Sequence, residues 1–377
     1  MKEMMSGKER ILAAIHSESV DRVPWAPEIV PYTMAGMDAN VPQYIPDFME
    51  MIGADIFHRF TVLLQPKISY RKGVTPVYRF DNGVMVTGYE TPVGSIYSKS
   101  RYMASSPDLP TICKFMVETV EDLKVFHYVQ ENMRIEYLHD FDAYFHDALY
   151  IGDRGLVATG APMTPLQCFN NLLSGAENTY YLMADEPDLL DATFDLMHRF
   201  NVGQVIELAK CPPLVFISPE NTGTTLLSPG LYEKYCSVWL NAYADIFHDA
   251  GKKYFIHMCG KLKFLLNSIA ADRFDGVLDI APLPTGDTEL WECKEALCGK
   301  VVSGGIDCTT FCAAGPEMAY RRFYEVVKSV GHLKGLMIGS GDSAPFGTTL
   351  ENLKAFRKAL DDYYDDCYDD CYQEQNG

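Results

Sequence analysis

No run of apolar residues in this chain approaches the roughly 20 needed to cross a bilayer. The stretch from Met1 to Ile15 is charged and lacks the apolar centre of a secretion signal. A cytoplasmic protein is the expectation. Basic residues are scarce: 32 Lys and Arg stand against 51 Asp and Glu, a formal net charge of −19. A surface this acidic repels phosphate backbones and anionic headgroups, which argues against nucleic-acid and membrane-surface roles. A glycine-rich phosphate loop, a dinucleotide fingerprint and a nucleophile elbow are all missing. Internal repeats and low-complexity linkers are missing too, so one domain over residues 1–377 is the simplest expectation. Cysteine is not scarce, but its number, 11, is odd in a long chain. That is no secreted disulfide framework. The expectation is reduced thiols, most of them buried as small apolar residues. Cys367 and Cys371 lie in an acidic, tyrosine-rich tail; their spacing could hold a metal, but a frayed terminal helix explains it as well.

What is present is a rhythm. In the second half, short apolar runs at 214–218, 254–258, 276–280, 301–306 and 335–338 are each followed by a helical pattern. These patterns cover 228–250, 262–271, 288–297, 317–330 and 350–364. Five β-then-α units in succession imply a parallel sheet with right-handed crossovers. The first half adds weaker strand candidates at 23–29, 55–60 and 156–159. Three and five make eight, which predicts an α/β fold of the closed (β/α)8 TIM-barrel type. Residues 61–150 break the rhythm. Asn82-Gly83 between alternating apolar residues is a strong hairpin signal. That segment reads as an antiparallel β-hairpin insertion over one end of the barrel, either a lid, a docking surface or a decoration.

In such a barrel the site lies at the C-terminal ends of the strands. His257-Met258-Cys259-Gly260 is the sharpest feature there. Residues i and i+2 of a strand share a face, so imidazole and thiol can aim at one point. Imidazole with thiolate is a common zinc ligand set. A further ligand would come from Asp342, Glu220 or Cys308 at neighbouring strand ends, Asp342 being preferred. Any of these could instead cap a helix. Glu28, His58 and Asp307 are candidates to orient substrate or move protons, or are structural hydrogen-bonding residues.

With these residues in hand the chain resembles the uroporphyrinogen decarboxylase superfamily, and within it the zinc-dependent, corrinoid-linked methyltransferases. The resemblance rests on Lys8-Glu9-Arg10-Ile11-Leu12-Ala13-Ala14 followed by Asp21-Arg22-Val23-Pro24. It rests also on Leu227-Ser228-Pro229, on Gly251-Lys252 before His257-x-Cys259-Gly260, and on Leu350-Glu351-Asn352-Leu353-Lys354. It implies a TIM barrel and zinc held by His257 and Cys259. It also implies methyl transfer with a small-molecule methyl donor and a corrinoid on a separate protein. The branch's third ligand is a later cysteine; here a gapless comparison puts Asp342 in its place. A harder oxygen donor suits an ether, alcohol or amine leaving group better than a thiol. The decarboxylases hold substrate carboxylates with arginines soon after the first strand, whereas residues 25–32 contain none and offer Glu28. Two competitors remain: a cofactor-independent decarboxylase, which needs cations at the mouth and no metal, and a non-enzymatic corrinoid- or tetrapyrrole-binding protein.

Overall fold

The structure, a computed structural model, describes residues 4–37, 40–59, 61–104 and 106–376, with the side chains of 106–108 and 368–376 excepted. Six parallel strands run in order through Thr159–Gly160, Val215–Pro219, Lys253–His257, Gly276–Ile280, Val301–Ile306 and Leu336–Ser340. Ile56–His58 pairs in parallel with Gly155–Val157, which leads directly into Thr159–Gly160 as one bent strand. The eighth position is residues 24–26. They form no regular strand, but the Ile338 N–H donates to Pro24 O and the Ala26 N–H to Ile338 O, both at 2.8 Å. On the other side the Asp55 N–H donates to Trp25 O at 2.7 Å. The ring therefore closes, and the fold is the expected (β/α)8 barrel.

The barrel has two apolar layers. Ala26, Phe57, Ala158, Ile217, Phe255, Leu278 and Met337 fill its interior, joined by Ile11, Ala14 and Ile15 of the helix Gly7–Ile15. That helix, capped by Ser6 and Glu9, plugs the N-terminal end of the barrel. A larger layer packs the outward strand faces on the helices. A buried ion network ties plug to staves: Arg10 reaches Asp21 at 2.7 Å and Asp55 at 2.5 Å, and Arg22 reaches Asp55 at 2.7 Å.

The excursion is antiparallel, as its turns predict. Thr75–Asp81, Val84–Thr91, Gly94–Met103 and Ser106–Lys114 form a four-stranded meander. Asn82 and Gly83 both take positive φ, 49° and 76°, as a type I′ turn requires. A second ribbon pairs Leu64–Tyr70 with Met133–His139, and the helix Val120–Glu131 buries Leu123, Val125 and Phe126 beneath the meander. The last meander strand packs on the short helix Pro31–Met34, which follows the first barrel position at the mouth. Sequence residues 61–114 carry seven Lys and Arg against three Asp and Glu. The acidic excess therefore lies wholly elsewhere. Among the described residues no helix is long and apolar enough to cross a membrane. The Cys367–Cys371 spacing falls partly on an undescribed side chain.

Candidate metal centre at the barrel mouth

His257 ends the strand Lys253–His257 and points inward with Phe255. Its Nδ1–H donates to Asp279 Oδ2 at 2.7 Å, which leaves Nε2, 3.8 Å from Asp342 Oδ1. A ring nitrogen of His257, Cys259 Sγ and an Asp342 oxygen all lie within 4.8 Å of one another. The set is a borderline-soft nitrogen, a thiolate and a hard oxygen, with Asp279 fixing the imidazole tautomer from behind. This is the carboxylate–histidine arrangement common at zinc sites. Three protein donors leave a tetrahedral position open, so the residues present fit zinc. Burial works against the charge on His257, but its hydrogen bonds to Asp279 and Cys259 and the nearby carboxylates hold its pKa well above the ordinary value. Burial pushes the Cys259 thiol up, against the pull of His257. A cation binding here would have to displace protons from both.

Asp279 reaches the mouth because its strand is irregular. The pairing of Gly276–Ile280 with Val301–Ile306 shifts register between Val277 and Ile280, and Asp279 sits at φ 67°. Gly304 permits this: a Cβ there would lie 2.3 Å from the Ile280 nitrogen. The bulge turns inward a carboxylate that strand alternation alone would face outward.

Glu28, His257 and Asp279 form a second group of similar compactness. It already holds a cation. Arg59 Nη1 lies 2.6 Å from Asp279 Oδ2 and 3.3 Å from Glu28 Oε2, with the guanidinium 5.2 Å from the Phe57 ring centroid. Burial and the charge of Asp279 raise the Glu28 pKa to about 7, opposed by Arg59 and His257. The Glu28 backbone N–H donates to Ser340 Oγ at 3.0 Å, so the last strand positions it.

The remaining sequence candidates lie elsewhere. Glu220 is fully buried but accepts from the backbone N–H and hydroxyl of Thr164, fastening the loop before the short helix Pro165–Cys168. It belongs to neither donor group, so its candidacy as a metal ligand is corrected to a loop tie. Asp307 caps the helix Cys308–Cys312, accepting from the Thr309 N–H at 2.8 Å and hydroxyl at 2.5 Å, and ties down Thr285. Its oxygens are spent on structure. The Cys308 thiol faces Ser343 O at 3.8 Å. His58 points outward to Asp147, Nε2 to Oδ2 3.3 Å, while bordering a cavity that Glu28 and Arg59 also line. Arg59 was missed in the sequence, although its parity with inward Phe57 marks it: i and i+2 share a face.

An (β/α)8 barrel with a histidine–thiol–carboxylate cluster at its mouth belongs to the class of barrel enzymes built around strand-end residues. The family model described as Uroporphyrinogen decarboxylase (URO-D) matches residues 93–363. The chain belongs to that family. Among solved structures it is similar to a methyltransferase from Methanosarcina mazei, at TM-score 0.60 and 15% identity over 96% of this chain and 99% of that one. A family 5 xyloglucanase from Paenibacillus pabuli matches more loosely, at TM-score 0.35 and 11% identity over 90% and 98%. No curated protein matches the sequence significantly.

Proposed function

We propose that the protein is a zinc-dependent methyltransferase. It moves a methyl group between a small methylated substrate of ether, alcohol or amine type and a corrinoid carried on a separate protein. The observation that carries this reading is the convergence of His257, Cys259 and Asp342 within 4.8 Å, with Asp279 behind the imidazole. Zinc held there supplies a Lewis acid to the heteroatom bearing the methyl group. The chain's own residues do the rest. Asp279 keeps the His257 ring in the ligating tautomer, and Arg59 keeps Asp279 ionised. When the carbon–heteroatom bond breaks, the electron pair stays on the heteroatom, which then needs a proton. Glu28, its pKa pushed up by burial and by the charge of Asp279, is the group able to hold and return it.

Metal content tests the reading. One zinc per chain is expected in the wild type, with strong loss in Cys259→Ala and Asp342→Ala. Full zinc in both variants would sink the site. Transfer of methyl groups to a corrinoid protein, abolished by His257→Ala, separates an enzyme from a corrinoid-binding partner protein. Metal-free decarboxylation keeps one point in its favour, since Arg59 is the mouth cation it needs. Wild-type protein purified without zinc and active without it would establish that alternative.

A further inference from the structure

Around Cys259 Sγ stand His257 and Asp342, its fellow members of the donor set. A third neighbour is neutral. The Cys259 thiol donates to Asn221 Oδ1 at 3.7 Å, within hydrogen-bond reach for sulfur. Asn221 comes from a different strand end, two residues past the strand Val215–Pro219.

The local build fixes this contact. Asn221 is exposed, but Glu220 and Thr222 on either side of it are fully buried. The Glu220 carboxylate is fastened by the backbone N–H and hydroxyl of Thr164. The Thr222 N–H donates back to Glu220 O at 2.8 Å, which makes a three-residue turn with Asn221 at its apex. Further on, the Thr224 N–H donates to Lys261 O at 2.8 Å. A Cβ on Gly223 would lie 3.6 Å from Cys259 O, so the two loops run in contact. One side of the turn is thus tied to the loop before the helix Pro165–Cys168, and the other to the loop that carries Cys259. The amide between them is held against the sulfur.

A primary amide carries an acceptor and a donor group side by side. Its oxygen suits a thiol, which donates. Its nitrogen suits a thiolate, which has lost its proton and accepts. The geometry points to Asn221 as a positioning residue for Cys259. Once zinc displaces the thiol proton, the amide turned over donates from Nδ2 to Sγ, holds the thiolate in place and draws charge from it. The metal is left a stronger Lewis acid than a bare thiolate would leave it. The inference rests on the zinc site of the methyltransferase reading, and adds to it the group that tempers the sulfur.

Cobalt(II) in place of zinc tests it on the full-length protein, because sulfur ligation gives a thiolate-to-cobalt charge-transfer band. Wild type is expected to show that band. Asn221→Leu keeps the side-chain volume and removes the donor. Its band should move to longer wavelength, since a thiolate relieved of a hydrogen bond gives up charge more readily, while the d–d bands stay unchanged. Zinc affinity, measured by chelator competition, should fall about ten- to a hundredfold. Asn221→Ala should shift the band the same way, and decides the matter if Asn221→Leu does not fold. Thr224→Ala removes a side-chain tie to Lys261 in the same loop without touching the sulfur, and should leave the band and the zinc affinity as in wild type. A band unmoved in the Asn221 variants, or moved equally in Thr224→Ala, overturns the assignment. So does a change of the d–d bands toward another coordination number, which would make Asn221 a ligand. These outcomes leave the zinc site standing. Wild type that takes up no cobalt, or takes it up without the charge-transfer band, removes the site and the assignment together.

Discussion

Glu28 and Glu220 are both buried glutamates at strand ends, and both are pushed up to about 7, yet they do different work. Among the described residues the Glu220 carboxylate accepts hydrogen bonds from Thr164 and belongs to neither donor group, so its shift, caused first by burial, acts on stability. Below pH 4.5 it is protonated folded and unfolded. Between 4.5 and 7 the unfolded chain ionises first, so stability falls as pH rises, and above 7 the penalty is constant. A shift of this size amounts to about 3 kcal/mol. Glu220→Gln keeps the hydrogen-bonding shape without the charge. Its urea stability should therefore gain about 3 kcal/mol on wild type between pH 5 and 7.5, with metal content unchanged; parallel pH profiles would refute this. The site was partly legible in the sequence because alternation is. Ala26 and Glu28, Phe57 and Arg59, Phe255 and His257 are inward pairs two residues apart. The same parity turns His58 toward Asp147. Asp279 obeys no such rule, because a bulge made possible by Gly304 reverses it, and nothing in a single sequence marks that reversal.

At the scale of elements, Asp307 shows how a polar residue at a strand end can be wholly structural. Its carboxylate caps Cys308–Cys312 and holds Thr285. Asp307→Ala should cost about 2 kcal/mol in denaturant unfolding, with the rate per folded molecule within about twofold of wild type; a rate loss of a hundredfold or more would restore it to the chemistry. The five regular strands of the second half were readable to within two residues, because continuous apolar runs mark strands buried on both faces. The first barrel position was harder. Residues 24–26 are held by only a few backbone hydrogen bonds, so their pattern carries little strand character. The hairpin at Asn82-Gly83 was plain because only a few residues tolerate two successive positive φ angles. The helix beneath that meander, Val120–Glu131, did carry a local mark, the Thr119-x-x-Asp122 capping box, but its packing against the meander is long-range and leaves none.

For the whole molecule, closure of the ring depends on charges as much as on the ladder. Asp55 accepts from Arg10, Arg22 and the Trp25 N–H, joining plug helix, first stave and second stave. Asp55→Asn would remove the carboxylate charge that Arg10 and Arg22 share, leaving Arg10 its pairing with Asp21, and a loss of about 3–5 kcal/mol is expected in thermal or urea unfolding. A loss under about 1 kcal/mol would mean that the ladder alone closes the barrel. The basic excursion has a different consequence. With its excess positive charge gathered in residues 61–114 and packed beside the mouth, the protein is an electric dipole as well as an anion. Beyond the screening length of about 8 Å at physiological salt an approaching anionic molecule feels little of the net negative charge; within it, the uneven charge distribution exerts a torque that turns the excursion toward it. Orientation then precedes contact, and the net charge of the chain is a poor guide to what that end of it attracts.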